Sequence, residues 1–200
     1  FRILITNMNF MLPKKKGKVV FVTSTVKGEG KTFVSVNLAL TLASPSKKTI
    51  IIGSDIRNPQ LQRYNTARKG LIGLTEYLND ENVKLEEIVH PSSFNKNLDV
   101  IYSGSIPPNP TDLLSNGKYE VLIETLKEKY DYIILDTAPL MLVTDSFLIS
   151  EVADITLYVA RSKYTEKSLI DFANKVIDAG KIKNAAFILN DVDKDYFGYG

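Results

Sequence analysis

The residues Thr23-Ser24-Thr25-Val26-Lys27-Gly28-Glu29-Gly30-Lys31-Thr32 are suited to holding phosphate. Glycines at 28 and 30 let the backbone turn so that successive N–H groups face one anion. A helix opening at Lys31 would add the positive end of its dipole. Lys31 would bridge the outer phosphates, and the Thr32 hydroxyl would ligate Mg²⁺. Lys27, Gly28, Glu29, Gly30, Lys31, Thr32 and Phe33 are therefore the expected phosphate-binding run. The usual P-loop has one more glycine, and here Thr25 stands in its place. A Gly-rich turn with a surface lysine would share this composition. A strand before it and a helix after it separate the two readings.

Two carboxylates suit the same chemistry. Ile133-Ile134-Leu135-Asp136-Thr137-Ala138-Pro139 ends a buried apolar strand on Asp136. A carboxylate there is what Mg²⁺ needs, commonly through a water. An aspartate capping the next turn is the simpler alternative. Ile50-Ile51-Ile52-Gly53-Ser54-Asp55-Ile56-Arg57-Asn58-Pro59 puts Asp55 where a second carboxylate could meet the metal or an incoming nucleophile. By itself, a loop Asp beside an Arg is often a salt bridge.

Composition removes other chemistries. Apolar residues make up 44% of 200, enough for a sizeable core in one domain or two small ones. Lys and Arg number 25 against 23 Asp and Glu, a net charge of +2. That balance speaks against a disordered tail protein and a polybasic nucleic-acid binder. With no cysteine there is no disulfide, thiolate nucleophile or Cys-ligated metal. His90 is the one histidine, which excludes a His-rich metal site and any Ser-His-Asp triad that lacks it. No window has the roughly 18 apolar residues of a membrane span, and no secretory signal is present. The lack of cysteine and of a secretory signal fits the cytoplasm, and the start at Phe1 suggests a piece of a longer protein.

The elements that must position these residues alternate. Residues 19–23, 49–52, 98–102, 132–135, 155–159 and 186–189 read as six strands. Helices are expected at 31–43, 71–78, 84–89, 117–129, about 144–150 and 165–179. Strand alternating with helix predicts an α/β fold, an open, mostly parallel sheet with helices on both faces. Its ligand belongs outside the carboxyl ends of the strands. Residues 1–13 read as a separate N-terminal helix stopped by Pro13. Residues 14–18 are a basic linker, either solvated or in contact with anionic lipid or an acidic neighbour. Residues 19–195 are the phosphate-binding domain. At 196–200 periodicity gives way to Tyr and Gly.

Together these motifs resemble the bacterial tyrosine kinases (BY-kinases) of capsule and exopolysaccharide synthesis, over nearly the full chain. The resemblance rests on the Gly-Glu-Gly-Lys-Thr ending, the Asp55-x-Arg57-x-Pro59 loop and the Asp136-Thr137-x-Pro139 strand end. Ser103-Gly104-Ser105-Ile106-Pro107-Pro108-Asn109-Pro110 is similar to a segment of that family, and the last residues to the start of its tyrosine-rich tail. The resemblance implies the partitioning-ATPase-like branch of P-loop NTPases, with ATP and Mg²⁺ as cofactors. Lys31, Asp55 and Asp136 would be catalytic, with Thr32, Asp55 and Asp136 on the metal. Asn190 and Arg161 would lie near the adenine. Tyr196 and Tyr199 would accept phosphate in trans, and Arg2 would serve assembly of a ring-like homo-oligomer.

Implied partners are a transmembrane activator region, fused or separate, polysaccharide export machinery and a tyrosine phosphatase, with no nucleic acid. The implied location is the cytoplasmic face of the bacterial inner membrane. Two positions depart from the family. Gly53 stands where many relatives have the first Asp of Asp-x-Asp. Phe1-Arg2-Ile3-Leu4 with Thr6-Asn7 resembles the helix the family uses for ring assembly, and Ile5 stands where that motif has a second basic residue. Two other readings stay open. A partitioning or positioning ATPase would carry a signature lysine where Val26 stands. A nucleotide-gated assembly module with reduced catalysis would be consistent with Gly53.

Overall fold

The structure is a computed structural model and describes residues 1–64 and 70–193. Seven strands form one sheet. They are β1 (Lys18–Ser24), β2 (Thr49–Gly53), β3 (Val89–Pro91), β4 (Leu98–Ile101), β5 (Tyr132–Asp136), β6 (Ile155–Arg161) and β7 (Ala185–Asn190). Their spatial order is β3-β4-β2-β5-β1-β6-β7. All neighbours run parallel except β3 against β4. The helices are α1 (Arg2–Met11), α2 (Lys31–Leu42), α3 (Leu74–Asn79), α4 (Leu85–Ile88), α5 (Pro110–Leu114), α6 (Lys118–Lys129), α7 (Asp145–Ser150) and α8 (Lys167–Asp178).

The central strands are buried on both faces because alternate residues feed two apolar layers. Val19, Phe21, Ile50, Ile52, Ile133 and Leu135 pack on one side with Leu74, Leu122 and Leu126. Val20, Val22, Ile51, Ile134 and Leu157 pack on the other with Leu38, Leu42, Met8 and Leu12. α1 joins that second layer through Met8 and Leu12, while Ile3 and Phe10 stay exposed. Arg2 is exposed as well.

The sheet has one strand more than the six expected. Within the segment read as a helix over 84–89, α4 stops at Ile88 and the chain turns directly into β3. Three residues are too few to show a period of two, and Pro91 is tolerated because β3 is an edge strand. The helix expected from 71 begins at Leu74, because Gly73 lies against β4's continuation. A Cβ on Gly73 would meet the Tyr102 carbonyl oxygen at 2.3 Å. The short α5 and a 3₁₀ turn at Leu61–Tyr64 were not legible in the pattern. The basic linker is partly tied down. Lys15 pairs with Asp154 at 2.7 Å, Lys16 donates to the Glu128 carbonyl, and Lys18 opens β1.

Candidate active site

The sheet order brings the expected residues together. β5 lies between β1 and β2, with Asp136 in register with Val22 on one side and Gly53 on the other. The loops leaving all three strands therefore open at one edge. This is the crevice where open α/β sheets place ligands.

The loop after β1 has the backbone of an anion cradle. Gly28 (φ +87°) and Gly30 (φ +94°) both take the left-handed region, which only glycine enters without strain. Three consecutive carbonyl oxygens of the loop are satisfied from outside. The Tyr164 hydroxyl donates to Lys27 O (2.9 Å), Arg161 Nη1 to Gly28 O (3.1 Å) and Asn190 Nδ2 to Glu29 O (3.1 Å). With the carbonyls engaged on that side, the amide edge is free to face the mouth. The mouth, about 360 Å³, is lined by Lys27, Gly28, Gly30, Lys31, Thr32, Phe33, Asn58, Gln60 and Arg63.

Glu29 is within the expected phosphate run, but its carboxylate turns away from the mouth. It is 1% exposed, accepts the Val26 N–H (2.9 Å) and accepts the Thr165 hydroxyl (2.6 Å). Asn190 and Arg161 stand at the adjoining flank. Their polar atoms hold the loop, and Arg161 also pairs with Asp191 at 3.0 Å.

Asp136 is 2% exposed at the end of β5. Thr32 Oγ1 donates to its Oδ2 at 2.8 Å and Ser35 Oγ to its Oδ1 at 3.2 Å. Thr32 and Ser35 are three apart on α2 and so share one face. Ser35 escaped the sequence reading, although that spacing was the available signal. Burial pushes Asp136 up to about 6. The Lys31 charge and the two hydroxyls oppose the rise, and Asp55 adds to it.

Asp55 is 5% exposed and accepts the Asn58 N–H at 3.0 Å. Burial raises its pKa, against the Asn58 N–H and the Lys31 charge. Lys31 is 8% exposed and acts electrostatically on both carboxylates. Lys31 and Thr32 line the mouth, and the two carboxylates are buried behind it, Asp136 bonded to Thr32 and both Asp136 and Asp55 within the reach of the Lys31 charge. Tyr196 and Tyr199 lie outside the described residues.

Among the described residues, no group of three or more His, Asp or Glu stands together. A divalent ion here would have a hydroxyl and isolated carboxylates, plus phosphate oxygens, which is the donor set Mg²⁺ takes with nucleotides. The cradle and the Thr32–Asp136 pair therefore fit Mg-ATP.

Gly53 has a local reason. Its carbonyl accepts the Ser103 hydroxyl at 2.7 Å, and a Cβ at 53 would lie 2.7 Å from Ser103 Oγ. Ser103 is buried, so the first carboxylate of an Asp-x-Asp pair would need Ser103 to give way.

A family described as an AAA domain matches residues 17–187. The chain is similar to the tyrosine-protein kinase CpsD of Streptococcus agalactiae, at 34% identity over all of this chain and 84% of that protein. It is similar to the tyrosine-protein kinase ptk of Acinetobacter johnsonii, at 33% over 99% of this chain but 27% of that protein. The kinase domain of the Escherichia coli tyrosine kinase ETK superposes with a TM-score of 0.87, at 28% identity over 96% of this chain and 74% of that one. The septum site-determining protein MinD of Pyrococcus horikoshii, solved with Mg-ADP, shares the fold. Its TM-score is 0.70 at 22% identity, over 86% of this chain and 69% of that one.

Proposed function

The chain belongs to the bacterial tyrosine-protein kinases, and on that premise we propose that it transfers the γ-phosphoryl group of ATP to tyrosines in the C-terminal tail of a neighbouring copy. The observation that carries this reading is a glycine-bent phosphate cradle whose Lys31 and Thr32 line the mouth, with Asp136 bonded to Thr32 and Asp55 and Asp136 both under the Lys31 charge.

The loop amides and Lys31 hold the outer phosphates and stabilise the charge that develops on the transferred group. Thr32 and Asp136 would hold Mg²⁺, with Asp55 beside them. The ion, when bound, neutralises phosphate oxygens. A tyrosine hydroxyl is a weak nucleophile, with an ordinary pKa near ~10. Asp55 is the carboxylate we assign to take its proton, and burial makes it a better base than an exposed aspartate. Asn190 and Arg161 would flank the adenine. Tyr199, further along the sequence from β7 than Tyr196, is the favoured acceptor.

In the same proposal, copies assemble through α1 with Arg2, in a ring-like homo-oligomer. The kinase acts beside a transmembrane activator region at the cytoplasmic face of the inner membrane, on polysaccharide export machinery, with a tyrosine phosphatase resetting it. No helix among the described residues is long and apolar enough to cross a membrane. Gly53 favours one second reading, a nucleotide-gated assembly module with reduced catalysis.

Incubation with Mg-ATP, an anti-phosphotyrosine blot and a free-phosphate assay test the proposal. Phosphotyrosine in the wild type, lost in Asp55→Asn while ATP still binds, is the expected result. Free phosphate alone would indicate a positioning-type ATPase, and neither product a binding module.

A further inference from the structure

Three segments singled out by the sequence meet at one point that the phosphate chemistry leaves unexplained. Arg57 comes from the loop after β2, two residues beyond Asp55. Thr111 follows the Pro107-Pro108-Asn109-Pro110 run and lies in α5. Asp145 is the first residue of α7, beyond the Asp136 loop. Arg57 Nε donates to Asp145 Oδ2 at 2.5 Å, and Arg57 Nη2 to Thr111 Oγ1 at 3.0 Å. Thr111 Oγ1 donates to Asp145 Oδ1 at 2.7 Å. The ring is closed, with each side chain bonded to the other two. The Asp145 side chain is 4% exposed, so a charge there needs both partners.

We propose that Arg57, Thr111 and Asp145 form a positioning triad that fixes the Asp55 loop against the Asp136 loop. The inference rests on the reading of Asp55 and Asp136 as the working carboxylates. The Asp55 loop already has one anchor, the Ser54 N–H on the Asp136 carbonyl at 2.8 Å. A loop held at one end can still swing, and the triad supplies the second fixed point just beyond Asp55. From Asp145 the connection continues to the other loop. The hydroxyl of the next residue, Ser146, donates to the Ala138 carbonyl at 3.0 Å, two residues past Asp136. That carbonyl also takes the Thr23 hydroxyl at the end of β1 (3.1 Å). Arg57 thus links the Asp55 loop to the Asp136 loop and, through it, to the strand that carries the phosphate cradle. None of the three side chains lines the mouth, and Arg57 and Asp145 line a small space beside Asp55 and Ala138 with their polar atoms spent on one another, so we assign them positioning roles.

The test compares Arg57→Gln, Asp145→Asn, the double variant, Thr111→Val and Thr111→Ser with the wild type. The readouts are the rate of tyrosine phosphorylation at saturating Mg-ATP, Mg-ATP affinity by calorimetry, and thermal midpoint. Misplacing a reacting group costs about tenfold or more in rate. The expected result is a rate loss of that size in Arg57→Gln, Asp145→Asn and Thr111→Val, with Mg-ATP affinity within about twofold of wild type. Thr111→Ser, which keeps the hydroxyl, restores the rate. The double variant is no slower than the slower single one, because the triad acts as a unit.

Folded Thr111→Val protein with the wild-type rate overturns the triad. So do losses that multiply in the double variant, or a rate that falls only in step with Mg-ATP affinity. A wild type that labels normally while the variants do too sinks the triad alone. A wild type that never forms phosphotyrosine sinks the kinase reading with it.

Discussion

Replacing Asp136 by Asn should stabilise the nucleotide-free protein, and by an amount that depends on pH. Asp136 is buried at the end of β5, and that burial lifts its pKa from 3.8 to about 6. The folded state therefore binds a proton more tightly than the unfolded chain does. Stability from this group is fully present below pH 3.8 and is lost as pH rises through about 6. The full difference is about 3 kcal/mol, and roughly 2 kcal/mol of it falls between pH 4.5 and 7.5. Asn carries no charge to desolvate and can still accept the Thr32 or Ser35 hydroxyl. Urea unfolding of nucleotide-free wild type and Asp136→Asn at both pH values should show the variant gaining roughly 2 kcal/mol on the wild type between pH 4.5 and 7.5. Tyrosine phosphorylation should be lost in the same variant. A stability difference independent of pH would refute the argument. It would mean that Asp136 ionises in the folded protein as easily as in water.

Lys31→Met should fold with a thermal midpoint near that of wild type and lose phosphotyrosine formation, since the ammonium acts on phosphate and the two carboxylates and not on the apolar core; wild-type labelling by the variant would contradict this. Gly53→Asp should fail to restore an Asp-x-Asp pair and instead destabilise the fold by about 1–3 kcal/mol, because Ser103 must give way. Adding Ser103→Gly should recover part of that loss in urea unfolding.

Most of this frame was legible because long apolar strands declare themselves. Ile50–Ile52 and Ile133–Leu135 can be little else but central strands; β5 ends in Asp136, and Asp55 follows β2 by two residues. The glycines at 28 and 30 and the Lys31-Thr32 pair likewise carry their chemistry in local sequence. What escaped the reading depends on contacts distant in sequence. β3 is too short for a period. In sequence Arg57 reads as a salt-bridge partner for its neighbour Asp55, and the fold brings Asp145 to it instead. Glu29 sits inside the phosphate run, yet its carboxylate is held by Thr165. Nothing within ten residues of Glu29 could have announced that bond.

The absent first glycine of the P-loop has an explanation of the same kind. Where that glycine would give freedom, Thr25 gives fixation. Buried, its hydroxyl is hydrogen-bonded to the Tyr158 hydroxyl at 2.7 Å and lies 3.3 Å from the Leu169 carbonyl oxygen. The next N–H, of Val26, is capped by Glu29. The following carbonyls are taken by Tyr164, Arg161 and Asn190. Left-handed backbone is needed at just two points of the loop, Gly28 and Gly30. At Gly28 an added Cβ would meet the Tyr164 hydroxyl at 2.7 Å, and at Gly30 the Asn190 amide at 2.1 Å. The clasp and the glycines are therefore one device. The side chains that hold the loop's carbonyls outward occupy the space a Cβ would need. The cradle is thus shaped before phosphate arrives, and less ordering remains to be done on binding.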